Sequence, residues 1–114
     1  MVAFDNVTLG IVPPLPPVAP TALTATVSGK NEVQLKWTNL AKNHTGYKVE
    51  AARGNGIFYE ITDLPSSATE FVNTGLTNPT ALRFRVRAYN TGGFSEYSNA
   101  TEGLVPADPA AIAK

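Results

Sequence analysis

The sequence predicts an all-β protein in which seven short strands form two packed sheets. Apolar and polar residues alternate in several runs through the middle of the chain, which is the period of a strand with one buried face. Clusters of glycine, asparagine and serine separate these runs. No apolar stripe with helical spacing reaches a useful length. Strands that each bury one face need a second layer to cover them, so a β-sandwich is the predicted architecture.

Three runs give the clearest strand signal, at residues 33–37, 47–51 and 82–88. In the first run Val33, Leu35 and Trp37 alternate with polar residues, and neighbours in a strand point to opposite faces. Weaker candidates lie at 23–27, 58–62, 70–73 and 96–101. Turn signals fall between the runs at 28–31, 52–56, 73–75 and 90–93. Together these runs supply the seven strands of the predicted sandwich.

Changes of composition divide the 114 residues into four segments. Residues 1–12 have the pattern of an orphan strand, and 13–20 hold five prolines in eight positions. Such a proline-rich run favours extended polyproline II and acts as a semi-rigid spacer of about 25 Å. Residues 21–103 form the predicted domain, and 104–114 begin a second linker. We therefore expect the chain to be a piece of a longer protein.

The composition excludes several classes of function. Nine Lys and Arg residues balance nine Asp and Glu residues, so no overall field attracts nucleic acid or anionic lipid. No apolar run approaches the roughly 18 residues of a membrane span. The chain has no cysteine, which excludes disulfides and zinc–thiolate sites.

Several motifs, taken in order, resemble a known family. They are Pro20 followed closely by "ALTA", Trp37 near the end of the second strand, "GYKVE", "RFRVRAYN" and "GGFSEYS". The chain resembles a fibronectin type III domain over about residues 20–103, in the form embedded in secreted bacterial enzymes and surface proteins. The resemblance implies an immunoglobulin-like, seven-stranded sandwich. One departure is Leu82, where the family usually has a tyrosine whose hydroxyl pins the loop between the sheets.

A second, shorter resemblance concerns residues 1–12. The stretch "AFDNVTLG" is similar to the closing strand of jelly-roll carbohydrate-binding modules. It implies that such a module precedes the proline-rich segment in the parent protein. Because the apolar residues of this strand lack their own domain, we expect residues 1–12 to pair with a sheet edge of their own chain or of a second copy.

Strand parity also predicts which side chains form the core. Trp37 shares parity with Val33 and Leu35, so it is predicted to be buried and not to serve as a sugar-stacking platform. The full predicted core comprises Trp37, Leu35, Tyr47, Val49, Phe71, Leu76, Leu82, Phe84 and Val86.

The same parity places Arg83, Arg85 and Arg87 together on the outward face of one strand. One interpretation is a solvated face with a single cross-strand ion pair to a residue such as Glu50, worth about 0.2–1 kcal/mol. The alternative is a cationic strip that, with Tyr89, docks an acidic partner or a neighbouring domain.

Aromatic residues at outward or loop positions are the candidates for contact with polysaccharide: Phe58, Tyr89, Phe94 and Tyr97. Phe94 is the most unusual, because it follows two glycines at a predicted loop tip. It either folds over the end of the sandwich or presents its ring to a ligand.

No catalytic constellation can be assembled from the sequence. His44 is the single histidine, and a nucleophilic triad or a metal site needs companions for it. Asp5 is the one metal candidate, but calcium requires six to eight oxygens, so we expect no metal and no cofactor. The predicted function is a non-catalytic spacer that holds neighbouring domains apart in an extracellular, multidomain, bacterial protein. The alternative is an accessory module that binds polysaccharide or a protein through Phe94, Tyr89 and the arginine face.

Overall fold

Across residues 15–29, 31–76 and 81–103, which a computed structural model of the chain describes, seven strands form two antiparallel sheets. The strands are β1 (Thr21–Gly29), β2 (Glu32–Thr38), β3 (Gly46–Arg53), β4 (Tyr59–Pro65), β5 (Glu70–Asn73), β6 (Leu82–Asn90) and β7 (Gly93–Phe94). One sheet has the order β1-β2-β5 and the other β4-β3-β6-β7. The predicted all-β sandwich is confirmed. The orphan strand at 1–12, Asp5 and the second linker at 104–114 lie outside the described residues.

The inner face of the first sheet follows the alternation in β2. Val33, Leu35 and Trp37 are buried, while the residues between them are half-buried or exposed. Register places Leu35 between Ala25 of β1 and Phe71 of β5, so the strand fills the centre of its sheet. A single slip of register would turn all of these side chains to solvent, which is why the pattern fixes the pairing.

The inner face of the second sheet is built by β3 and β6. Val49 lies opposite Val86, and alternate residues along β6 are buried from Leu82 to Ala88. The two inner faces meet in one apolar cluster, where the edge of the Trp37 ring packs against Tyr47 with 5.4 Å between centroids. Burial raises the pKa of the Tyr47 hydroxyl above its usual value.

Each of the nine predicted core residues lies in or against this cluster. Seven are buried: Trp37, Leu35, Tyr47, Val49, Leu82, Phe84 and Val86. Phe71 and Leu76 are partly buried and pack against the others. Leu82, at the position where the family usually has tyrosine, thus contributes apolar contact at the start of β6.

The last strand differs from the prediction. The sequence predicts a strand over 96–101, whereas the seventh strand is the two-residue β7 and the chain after it is irregular. Residues 95–101 still run beside β6, but their hydrogen bonds to it recur at every third residue. A β-ladder recurs at every second residue, so this segment cannot be one.

Candidate functional site

The outward face of β6 carries a continuous stack of guanidinium groups and aromatic rings. We call it the arginine stack, and its members in order are Arg83, Phe58, Arg85, Tyr97, Arg87 and Phe94. From one member to the next, the distances from guanidinium carbon to ring centroid are 5.0, 4.1, 3.6, 4.5 and 3.7 Å. All lie within the range of about 6 Å in which a cation is attracted to the face of a ring. The arginines on this face are therefore flanked by aromatic rings, which neither interpretation from the sequence included.

Two separate parts of the chain supply these rings. Phe58 comes from the loop between β3 and β4, whereas Phe94 and Tyr97 come from β7 and the segment after it. The arginines themselves repeat every second residue because they lie on a strand. The stack therefore joins β6 to the distant β3–β4 loop and to the segment that directly follows β6.

Three hydroxyl residues hold the segment 95–101 against β6. Each of them exchanges two hydrogen bonds with one residue of β6. Its backbone N–H donates to the carbonyl oxygen of the β6 residue at 2.7–2.9 Å, and its side-chain oxygen accepts the N–H of that β6 residue at 2.9–3.0 Å. The pairs are Ser95 with Ala88, Ser98 with Val86, and Thr101 with Phe84. The hydrogen bonds therefore recur at every third residue of the segment and at every second residue of β6.

This spacing explains where the two rings come from. Phe94 and Tyr97 are also three residues apart, each directly before one of the hydroxyl residues. While the hydroxyls satisfy the edge of β6, the rings reach over its outward arginines. The signal in the sequence was the repeat of an aromatic residue and a serine in "FSEYS", which alternation with a period of two does not detect.

The carboxylate of Glu50 pairs with the positive charge of Arg85 at the centre of the stack. Glu50 is only 8% exposed and lies opposite Arg85 in the register of β3 and β6. Arg85 contacts Glu50 Oε1 through Nε at 2.9 Å and Nη2 at 2.8 Å, and the Tyr97 hydroxyl donates to Oε2 at 3.0 Å. Burial, together with this hydrogen bond, raises the pKa of Tyr97.

The two outer arginines have different surroundings. Arg83 donates to the carbonyl oxygens of Gly54 at 2.9 Å and Gly56 at 3.3 Å, which ties the β3–β4 loop to β6. Arg87 approaches Glu50 Oε2 only to 3.9 Å, and its buried Nε finds no acceptor among the residues that the structure describes. The stack therefore satisfies Arg83 and Arg85 better than Arg87.

Tyr89 belongs to a neighbouring polar cluster. Its hydroxyl donates to Asp63 Oδ1 at 2.7 Å, and the Lys48 ammonium lies 3.0 Å from Asp63 Oδ2 and 5.0 Å from the Tyr89 ring centroid. The hydrogen bond from Tyr89, followed by the one from Lys48, lowers the pKa of Asp63. The same contacts with Asp63 raise the pKa of Tyr89 and of Lys48. Tyr89 also lies beside the stack at Phe94, with 6.3 Å between ring centroids.

Residues 15–20, which we call the stalk, lie against one end of the sandwich. Pro17 and Pro20 are buried. The Leu15 carbonyl oxygen accepts hydrogen bonds from the carboxamides of Asn43 at 3.0 Å and Asn90 at 2.8 Å. The Asn90 carboxamide also donates to the backbone carbonyl oxygen of Asn43 at 3.0 Å, which links the two residues to each other. The part of the proline-rich segment nearest the domain is therefore packed and clamped.

The remaining candidates have structural surroundings. A ring nitrogen of His44 lies 2.7 Å from the Ser66 carbonyl oxygen, and the ring packs on Tyr47 with 4.9 Å between centroids. Trp37 lies in the core. Within residues 15–29, 31–76 and 81–103, no group of three or more His, Asp or Glu side chains is placed to hold a metal ion. In the same part of the chain, no helix is long and apolar enough to cross a membrane.

The sandwich and its motifs agree with a comparison to known families. The profile described as "Fibronectin type III domain" matches residues 18–103. The chain belongs to the fibronectin type III family. The resemblance inferred from the motifs is thereby confirmed.

The relatives include bacterial proteins. An alpha-amylase from Niallia circulans is 35% identical over 94 residues, which are 80% of this chain but 7% of that enzyme. The chain therefore corresponds to a small part of a much longer relative. An Fn3-like protein from Clostridium thermocellum has a TM-score of 0.63 and 26% identity, over 75% of this chain and 88% of that one.

A distant structure shares the fold alone. Titin kinase with its flanking domains matches with a TM-score of 0.71 and 23% identity, over 81% of this chain and 17% of that chain.

Proposed function

We propose that the chain is a non-catalytic module that spaces and orients neighbouring domains in a secreted, multidomain, bacterial protein. Two findings support a role inside a longer chain: the family assignment, and the match to a small part of a bacterial alpha-amylase. The carboxylates of the arginine stack and of the Asp63 cluster support a non-catalytic role, because Glu50 is paired with Arg85 and Tyr97, and Asp63 with Lys48 and Tyr89.

The clamp on the Leu15 carbonyl is the observation that carries the orienting role. A flexible linker lets a neighbouring domain sample many directions, whereas a linker packed on its domain fixes the direction in which the chain leaves. Two hydrogen bonds, each worth about 0.5–1.5 kcal/mol, hold the carbonyl. Pro16 and Pro17 follow directly, and the proline ring restricts the backbone further.

Pro16 also packs closely on the domain. A side-chain carbon placed on Gly93 would lie 3.6 Å from Pro16 Cγ, so the proline ring lies beside the start of β7. The stalk is thus held at its carbonyl, at this ring and at the buried Pro17 and Pro20. A domain attached before Leu15 would be held at a restricted angle.

Residual dipolar couplings test this role. A small globular reporter domain is fused directly before Leu15, and both domains are aligned weakly in the same sample. If the stalk orients its neighbour, the two domains share one degree of alignment. In the Asn43→Asp/Asn90→Asp variant the reporter is expected to align more weakly, because a carboxylate cannot donate to the Leu15 carbonyl.

The control is Asn55→Asp, which adds a negative charge at an exposed position of the β3–β4 loop. It should leave the shared alignment unchanged. A reporter that aligns independently of the unmodified domain would contradict the orienting role.

A further inference from the structure

Of the three arginines in the stack, Arg87 has donors that the described residues satisfy least. Arg83 donates to two backbone carbonyls, and Arg85 makes two short contacts with Glu50. Among the described residues, the nearest carboxylate oxygen to Arg87 is 3.9 Å away and already accepts a hydrogen bond from the Tyr97 hydroxyl. Glu50 pairs with Arg85 and lies near Arg87, so the three arginines leave the stack with an excess of positive charge.

The stack also fixes the orientation of the Arg87 guanidinium group. The ring centroids of Phe94 and Tyr97 lie 3.7 and 4.5 Å from its central carbon, so the rings restrict the directions from which a ligand can approach. The side chain remains 25% exposed. A planar guanidinium edge matches the two oxygens of a carboxylate, and a group already held in place loses little entropy on binding.

Phe94 provides an apolar surface beside that edge. Its side chain lies at the end of the stack and the residue is 49% exposed, although one face of the ring already contacts Arg87. A ligand that pairs with Arg87 can therefore cover apolar surface at the same time. A sugar ring would need a free aromatic face, and Phe58 and Tyr97 each lie between two arginines.

We propose that Arg87 and Phe94 bind a carboxylate side chain of an acidic, extended protein segment. The spacing of the stack supports an extended partner. Alternate residues of a strand are about 6.6–6.8 Å apart, so an extended segment that places one carboxylate at Arg87 can carry further acidic residues along β6, where the excess positive charge of the stack attracts them. This inference does not depend on the orienting role of the stalk.

An NMR titration of the isotope-labelled chain at low salt tests the proposal. The probe is a capped peptide, Glu-Thr-Glu-Thr-Glu, and the neutral comparison is Gln-Thr-Gln-Thr-Gln. Saturable shifts of the Arg87 Nε–H and Phe94 amide signals are expected with the acidic peptide alone. In Arg87→Gln the affinity should fall about tenfold, as expected for the loss of a charge-assisted bidentate pair.

Arg53→Gln is the matched control. It removes the same charge from an exposed arginine at the end of β3, outside the stack, and should change the affinity less than twofold. Phe94→Leu is a second variant that leaves Arg87 in place, and it should weaken binding because the ring no longer holds the guanidinium plane.

Three outcomes would overturn the proposal. The first is equal affinity in the wild type and in both stack variants. The second is an equal loss in Arg87→Gln and Arg53→Gln, which would indicate general attraction between charges. The third is a saturable shift at Phe94 with a neutral polysaccharide, such as soluble starch, and none with the acidic peptide.

Discussion

Replacing Glu50 by glutamine removes the negative charge at the centre of the arginine stack and keeps a side chain of nearly the same shape. The loss in free energy of unfolding can be bracketed from the burial of the ion pair. Breaking a fully buried ion pair costs about 3–5 kcal/mol, and breaking an exposed one costs about 0–1 kcal/mol. The side chain of Glu50 is 10% exposed and that of Arg85 is 28% exposed, so the pair lies between these limits. We expect Glu50→Gln to lower the free energy of unfolding by about 2 kcal/mol.

Urea unfolding and thermal melting measure this loss. For a domain of this size about 2 kcal/mol corresponds to a fall in Tm of about 8–16 °C, with an unchanged urea m-value. Glu60→Gln is the matched control, because Glu60 pairs with Lys48 at 3.4 Å while its side chain is 51% exposed. The control should cost less than about 0.5 kcal/mol. Equal, small losses in both variants would refute the claim that Glu50 organises the stack.

Three further changes test other parts of the fold. Gly46→Ala should cost about 1–3 kcal/mol in urea unfolding, because the new Cβ would lie 2.5 Å from the Leu64 carbonyl oxygen. Ser98→Ala should cost about 1–3 kcal/mol in the same assay, since the buried Val86 N–H loses its side-chain acceptor. Asp63→Asn should destabilise the domain near neutral pH but not at strongly acidic pH, as thermal melts across the acidic range can measure. The folded pKa of this carboxyl is lowered, by a tyrosine hydroxyl and then a lysine, so its contribution is present above the unfolded pKa of about 3.9 and is lost as the pH falls through the folded value.

Each of these has a control or a contradicting result. Gly54→Ala meets no atom within 4 Å and should cost only the strain of its positive φ of 55°, about 1–2 kcal/mol. An exposed serine changed in the same way, Ser28→Ala, should be nearly neutral. A Tm difference between Asp63→Asn and the wild type that stays constant with pH would contradict the assigned ion pair.

Strand parity was enough to predict the sandwich. The alternation in β2 and β6 gave the buried faces, including Trp37, because the period of a strand is a local property of the sequence. The same rule placed Arg83, Arg85 and Arg87 together. The resemblance to the family placed their strand beside the one that carries Glu50, and the structure shows the ion pair between Glu50 and Arg85.

The cover over these arginines could not be predicted from parity. Phe58 and Tyr97 reach the stack from a loop and from the segment after β7, and both contacts depend on the tertiary fold. The strand predicted at 96–101 was wrong because hydroxyl side chains replace a regular ladder along β6. Whether the outward arginines, Tyr89 and Phe94 bind a partner stays a prediction.

The packing of the stalk on the domain could not be predicted from the sequence either. A run of prolines predicts an extended conformation whether or not it rests on a domain. The clamp requires the loop that carries Asn43 and the end of β6 at Asn90 to meet beside Leu15, and these three positions are far apart in the chain.

The distance between two spin labels tests the orienting role most directly. The chain has no cysteine, so Leu15→Cys and Lys36→Cys can be labelled selectively. Both positions are exposed, and the clamp uses the backbone carbonyl of residue 15, which the substitution keeps. A clamped stalk predicts one narrow distance distribution that broadens in Asn43→Asp/Asn90→Asp. A distribution that is already broad in the labelled parent, and unchanged in that variant, would contradict the account.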